Sequence, residues 1–240
     1  MMADNDLELK LTRGSPIKIE NVGILYPLTL GEISDIGEMK YNKYIFSTNL
    51  KKENFGLENE EITPFELTFI YCRQDESFKE MFLDALSYFF REKVYYHENG
   101  FFYLGTLEEN KFIGINEFDE ILRVVKKQNF INDKEKVEEF NQPTSEKARE
   151  LIEKLKYFRQ KVKEKNQEKG LDLSDIISIV AAHSGNINIF NVWDLTVFQL
   201  YTLYIRLMMK ENFGLEYSKY IQGEDPKNLK LDHWASKLQK

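Results

Sequence analysis

The chain has too little of several residue types for whole classes of function. It has one cysteine, Cys72, so no internal disulfide can form and a reducing cytosol suits it. Its three histidines, His97, His183 and His233, stand far apart with no metal-ligand spacing. The short motifs that cradle phosphates, dinucleotides or calcium are absent. "HSGN" at 183–186 sets a serine beside a histidine, but neighbours in sequence do not make a triad and no nucleophile elbow surrounds them. Cys72 lies among Phe69, Ile70 and Tyr71 and reads as a small buried hydrophobe. The expectation is therefore a non-enzyme with no catalytic residue, no cofactor and no metal.

A membrane span is also missing. The most apolar run, "VWDLTVFQLYTLYIRLMM" at 192–209, contains Asp194, Gln199 and Arg206 and is closed by Lys210 and Glu211. A spanning helix needs roughly 20 mostly apolar residues in a row. On a helical wheel Gln199, Thr202, Arg206 and Lys210 share one stripe, and the apolar arc covers about two-thirds of the circumference. This predicts a central core helix buried on several sides, capped by Asn191 with Asp194 at its third position. The alternative is a sticky face kept for a partner. The start, "MMADNDLELKLTRG", is acidic and lacks the apolar stretch of a signal peptide.

What is present describes a folded domain. The 240 residues are 42% hydrophobic and 30% charged, enough for one large core or two small ones. A net charge of -7 and a pI near 5.3 disfavour general affinity for nucleic acid or anionic lipid, though a local basic patch can survive that average. Phe 18 and Tyr 13 against five prolines exclude a disordered tail.

The patterning gives an α+β, predominantly helical chain. It has a small N-terminal β-containing module, central helices with an aromatic β-hairpin, and a C-terminal helical module. Leu7, Leu9 and Leu11 alternate with polar residues, as in a strand, and Ile17, Ile19 and Val22 resume the alternation after "RGSP". Thr29 and Glu32 form a capping box for a helix whose apolar side is Ile33, Ile36, Met39 and Tyr44. Thr63-Pro64-Phe65-Glu66 starts another helix. Phe78, Met81, Phe82, Ala85, Leu86 and Phe89 follow helical spacing. "KVYYHENGFFYLG" reads as two strands turned at Asn99-Gly100. Its outer surface could stack single-stranded nucleic acid, but Glu92, Glu98, Glu108 and Glu109 flank it, which favours a sheet face packed on the preceding helix. Asn116 is expected to cap a helix carrying Phe118, Ile121, Leu122 and Val125.

The division expected is an α+β module at 1–131, a polar linker at 132–147 containing Pro143, and a helical module at 148–240. Within the last, Ala148, Leu151, Ile152, Leu155 and Val162 form a thin apolar seam on a helix otherwise full of charge. Such a helix suits a long arm, a helix that completes its core in an oligomer, or equally an arm docked on its own domain, and these five residues are the candidate partner-binding set. Gly170 is placed as its C-cap. A short apolar helix spans 171–182, broken at Gly185, and Asp232 caps a last turn around Trp234.

Three stretches also carry a resemblance: "LTRGSPIKIENVGILYPLTLGEISDIGEMKYNKY", "LSDIISIVAAHSGNINIFNVWDLTVFQLYTLYIRL" and "GEDPKNLKLDHWASKLQ". Together they resemble proteins of the tail gene cluster of tailed phages and prophages of Gram-positive bacteria. The resemblance covers both ends of the chain and implies a non-enzymatic morphogenesis protein of the host bacterial cytoplasm. It is similar to tail assembly chaperones, whose partners are tail proteins such as the tape measure protein, and a homo-oligomer is compatible with it. The alternative function is a phage-encoded regulator that binds a host or defence protein. A nucleic-acid-handling protein is the third reading.

Overall fold

The computed structural model describes residues 2–50, 61–131, 171–225, 229 and 233–236. Within them the protein is a predominantly helical α+β fold with two small antiparallel sheets. The linker at 132–147, the seam helix at 145–166, the cap at Gly170 and the cap at Asp232 lie outside the described residues.

The first element is a helix, α1 (Asp4–Arg13), and not the expected strand. Leu7 and Leu11, one helical turn apart, are fully buried, whereas Leu9 is 71% exposed. Three leucines at alternate positions satisfy both periods, and the ends decide between them. Asp4 and Asp6 complement the positive end of the helix dipole. Gly14 at φ 75° lets the backbone turn left-handed, so that its N–H and that of Ser15 bond the carbonyls of Leu11 and Lys10. A hairpin follows, β1 (Ile17–Ile19) against β2 (Gly23–Leu25), with Ile17 opposite Leu25.

The Thr29–Glu32 capping box opens α2 (Leu30–Ile36), but this helix stops at Gly37 (φ 86°) and α3 (Glu38–Thr48) starts afresh. The break changes the facing, so Met39, expected inside, points to solvent while Tyr44 is buried. Thr63 and Glu66 box the start of α4 (Pro64–Gln74), and Asp75 caps α5 (Glu76–Phe90). Strands β3 (Val94–His97), β4 (Phe101–Leu104) and β5 (Phe112–Ile113) form the second sheet in that order. His97 pairs with Phe101, so the turn holds three residues where two were expected, with Gly100 at φ 97°. Helix α6 (Ile115–Gln128) begins at Gly114, two residues before the expected Asn116, because the Glu117 carboxylate accepts from the Gly114 N–H at 3.1 Å. The chain continues with α7 (Leu173–His183) and α8 (Val197–Ile221).

The core is built on aromatic rings. Phe82 lies 5.0 Å from Phe102, and Phe65 packs edge-on to both Phe102 and Phe118 at 5.8 and 5.6 Å. The inner face of the β3–β5 sheet, Val94, Phe102, Leu104 and Ile113, closes onto these rings. Ile176, Ile177 and Val180 of α7 and Val197, Phe198 and Leu200 of α8 join the same apolar core.

Thr196 ties α8 to the rest. Its hydroxyl accepts from the Gln199 N–H, and the Gln199 amide oxygen accepts from the Thr196 N–H at 2.9 Å. Thr196 also bridges Thr29, the Leu30 N–H bonds the Leu195 carbonyl at 2.8 Å, and the Gln199 amide donates to the Thr12 carbonyl at 3.0 Å. Thr196→Ala removes a buried cap, and chemical denaturation should show a loss of about 1–2 kcal/mol. A loss near zero would mean that water replaces the hydroxyl.

Candidate functional site: the distal half of the C-terminal helix

The apolar run at 192–209 is not one helix. Val192–Asp194 forms a single 3-10 turn, Leu195 is extended, and α8 begins at Val197 with Thr196 as its cap. Asn191 does not cap a long helix. Its side chain accepts from the Asn188 N–H and donates to the Asn186 carbonyl, bracing the preceding loop.

The expected core helix is buried only at its start. Val197, Phe198 and Leu200 are enclosed, with the Phe198 ring tilted against Phe130 at 5.1 Å. From Tyr201 to Met209 the side chains are half-covered, and Leu203 is 38% exposed. Leu203→Asp, which a core position would make ruinous, should therefore lower stability by no more than about 1 kcal/mol. A thermal melt checks this, and unfolding would place Leu203 inside.

Beyond Lys210 the helix runs on for three turns with almost no cover among the described residues. Leu215 is 62% exposed and Ile221 69%, and Tyr217 and Tyr220 are also open to solvent. Phe213, Tyr217 and Tyr220 follow one another at helical spacing, with ring centroids 6.0 and 6.3 Å apart. Residues 233–236 reach back to this helix: Arg206 donates to the carbonyls of Trp234 (2.8 Å) and Ser236 (2.5 Å), and His233 packs edge-on to Phe213 at 5.1 Å. Arg206 thus holds backbone rather than a carboxylate. The surface that remains is an aromatic and aliphatic ridge, with Lys219 paired to Glu216 at 2.7 Å at its side. Large, rigid, amphipathic rings of this kind supply contact area at protein interfaces. The sequence carried the signal in the 213, 217, 220 spacing, but Glu216, Ser218 and Lys219 between them lower the local hydropathy.

The other candidates fall elsewhere. Ala148, Leu151, Ile152, Leu155 and Val162 lie outside the described residues. His97 ends β3 and stacks on Phe101, His183 ends α7 with its ring against the Ile179 carbonyl, and His233 accepts from the Ala235 N–H, so the three remain apart. Cys72 is buried, and burial pushes its thiol up to about 12, partly opposed by Lys79. Among the described residues no group of three or more His, Cys, Asp or Glu could hold a metal ion, and no helix is long and apolar enough to cross a membrane.

The ridge falls inside a segment that matches a family model. Residues 163–239, less than half of the chain, match the family model described as the YomV second domain. That is a family of phage gene products of the Bacillus prophage SPbeta kind, consistent with a phage origin. No curated protein and no solved structure matches this chain significantly.

Proposed function

We propose that this protein is a non-enzymatic phage morphogenesis protein, a chaperone-like or structural binder that engages the tape measure protein or another tail protein in the host cytoplasm. It needs no cofactor and no metal. The observation that carries the reading is the uncovered ridge of α8 at Leu215, Tyr217, Tyr220 and Ile221, within the segment that resembles a phage family. An exposed row of large apolar side chains on a helix is stable when a second apolar helix lies along it. A coiled-coil-rich tail protein presents such helices in number.

The test is affinity purification of the tagged full chain from cells producing the whole tail gene cluster, with the retained proteins identified by mass spectrometry. A tail protein recovered in stoichiometric amount supports the proposal. A host or defence protein recovered in its place would instead make the chain a regulator, and the morphogenesis reading would fall.

A further inference from the structure

Away from α8, a groove of about 910 Å³ opens between α3, α5 and the free edge of β3. Pockets for small ligands span roughly 300–1,000 Å³, so this one is large enough for one or two nucleotides. Four lysines line it, Lys40, Lys43, Lys79 and Lys93, against two acids, Glu80 and Asp84. This is a local excess of positive charge in a chain of net charge -7. Lys40 is held by Asp84 at 3.2 Å and Lys79 by Glu76 at 2.6 Å. Lys43 and Lys93 have no carboxylate within ion-pair distance among the described residues. For Asp84, burial works against ionisation, but the Tyr44 hydroxyl and Lys40, with the more distant charge of Lys93, hold its carboxyl below the usual range, so one of the two acids is already spoken for.

The groove continues into a face of rings. Strand alternation sends Val94, Phe102, Leu104 and Ile113 inward and Tyr95, His97, Phe101, Tyr103 and Phe112 outward. Tyr95, which also lines the groove, is 39% exposed and lies nearly parallel to Tyr103 at 5.2 Å. His97 stacks on Phe101 at 4.4 Å, and Phe112 meets Phe101 at 5.1 Å. The glutamates that flank the hairpin in sequence are partly neutralised: Glu92 and Glu109 both pair with Lys111 at 2.6 Å.

We propose that the groove and this ring face bind single-stranded nucleic acid, with phosphates on Lys43 and Lys93 and bases stacked on Tyr95 and its neighbours. Unpaired bases offer flat faces to flat rings, which a duplex does not, and lysines beside such rings follow the backbone. The net negative charge does not forbid this, because at physiological salt its field is screened beyond about 8 Å. An acidic peptide would use the lysines but would leave the row of rings without a partner.

The experiment is fluorescence anisotropy of the full chain with a labelled oligothymidylate of about eight nucleotides, repeated across salt concentrations. Binding should weaken with salt. Lys43→Glu with Lys93→Glu should cost tenfold or more and flatten the slope of log affinity against log salt by about 1.4, the share of two single-strand phosphates. Tyr95→Ala should cost roughly tenfold and leave the slope unchanged, since stacking carries no charge. All three side chains are on the surface, and unchanged melting curves show that each variant is folded. Absence of salt-dependent binding, or full binding by both variants, overturns the proposal. So does a thymidine mononucleotide or a polyglutamate peptide that binds as tightly as the oligonucleotide, because the site would then not be one for a strand.

Discussion

Phe102→Ala should cost about 3–5 kcal/mol, a large share of the 5–15 kcal/mol that holds a typical domain together. Phe102 is fully buried on the inner face of the β3–β5 sheet, and its ring touches Phe65, Phe69, Phe82 and Tyr96. Truncation opens a cavity bounded by other rings, which cannot collapse into it without leaving their own edge-to-face contacts. Urea denaturation read by tyrosine and tryptophan fluorescence measures the loss. A cost below about 1 kcal/mol would mean that the aromatic cluster repacks freely and does not fix the sheet on α4, α5 and α6.

The second large effect is on binding. Leu215→Glu combined with Tyr220→Glu should leave the melting temperature within a few degrees of wild type, because both side chains are exposed and glutamate is a good helix former. The same variant should lose capture of the proposed tail partner by about 2 kcal/mol or more, roughly thirtyfold, as expected when ring and aliphatic anchors at the centre of an interface are replaced by charge. Pull-down and titration with the purified partner read this. A folded variant that binds as wild type would move the interface away from α8.

Local hydrogen bonding made much of the fold legible in the sequence. The capping boxes at Thr29–Glu32 and Thr63–Glu66 form as expected, since each needs only residues three apart. The α5 stripe from Phe78 to Phe89 is buried as its spacing predicts, except that Met81 is half-buried. Where two periods fit the same residues the pattern misled: Leu7, Leu9 and Leu11 suit a strand, and only the flanking Asp4, Asp6 and Gly14 favour α1. The N-cap of α8, expected at Asn191, lies at Thr196 for another reason. Asn191 and Thr196 are both good caps, and the choice is made by Leu30 and Thr29, far away in sequence, which bond Leu195 and Thr196.

The candidate sites were harder to read. The apolar run at 192–209 promises burial along its whole length and delivers it only at the start of α8, because a run of hydrophobes shows burial potential but not where the neighbouring elements end. The ridge at 213–221 is diluted by charge and stands out only once the structure leaves it uncovered. The groove could not be found from sequence, since Lys40 and Lys43 come from α3, Lys79 from α5 and Lys93 from the turn before β3. The hairpin showed its acids and hid that Lys111 takes up two of them.

Hydrogen–deuterium exchange of the full chain with and without the tail protein proposed as its partner tests the central claim most directly. Amides in the exposed distal turns of α8 should exchange quickly in the free protein, for want of tertiary cover. On binding, residues 210–221 should become strongly protected while α4, α5 and the β3–β5 sheet stay as they were. Protection confined to other elements, with 210–221 unchanged in the complex, would contradict the assignment of this helix as the docking surface.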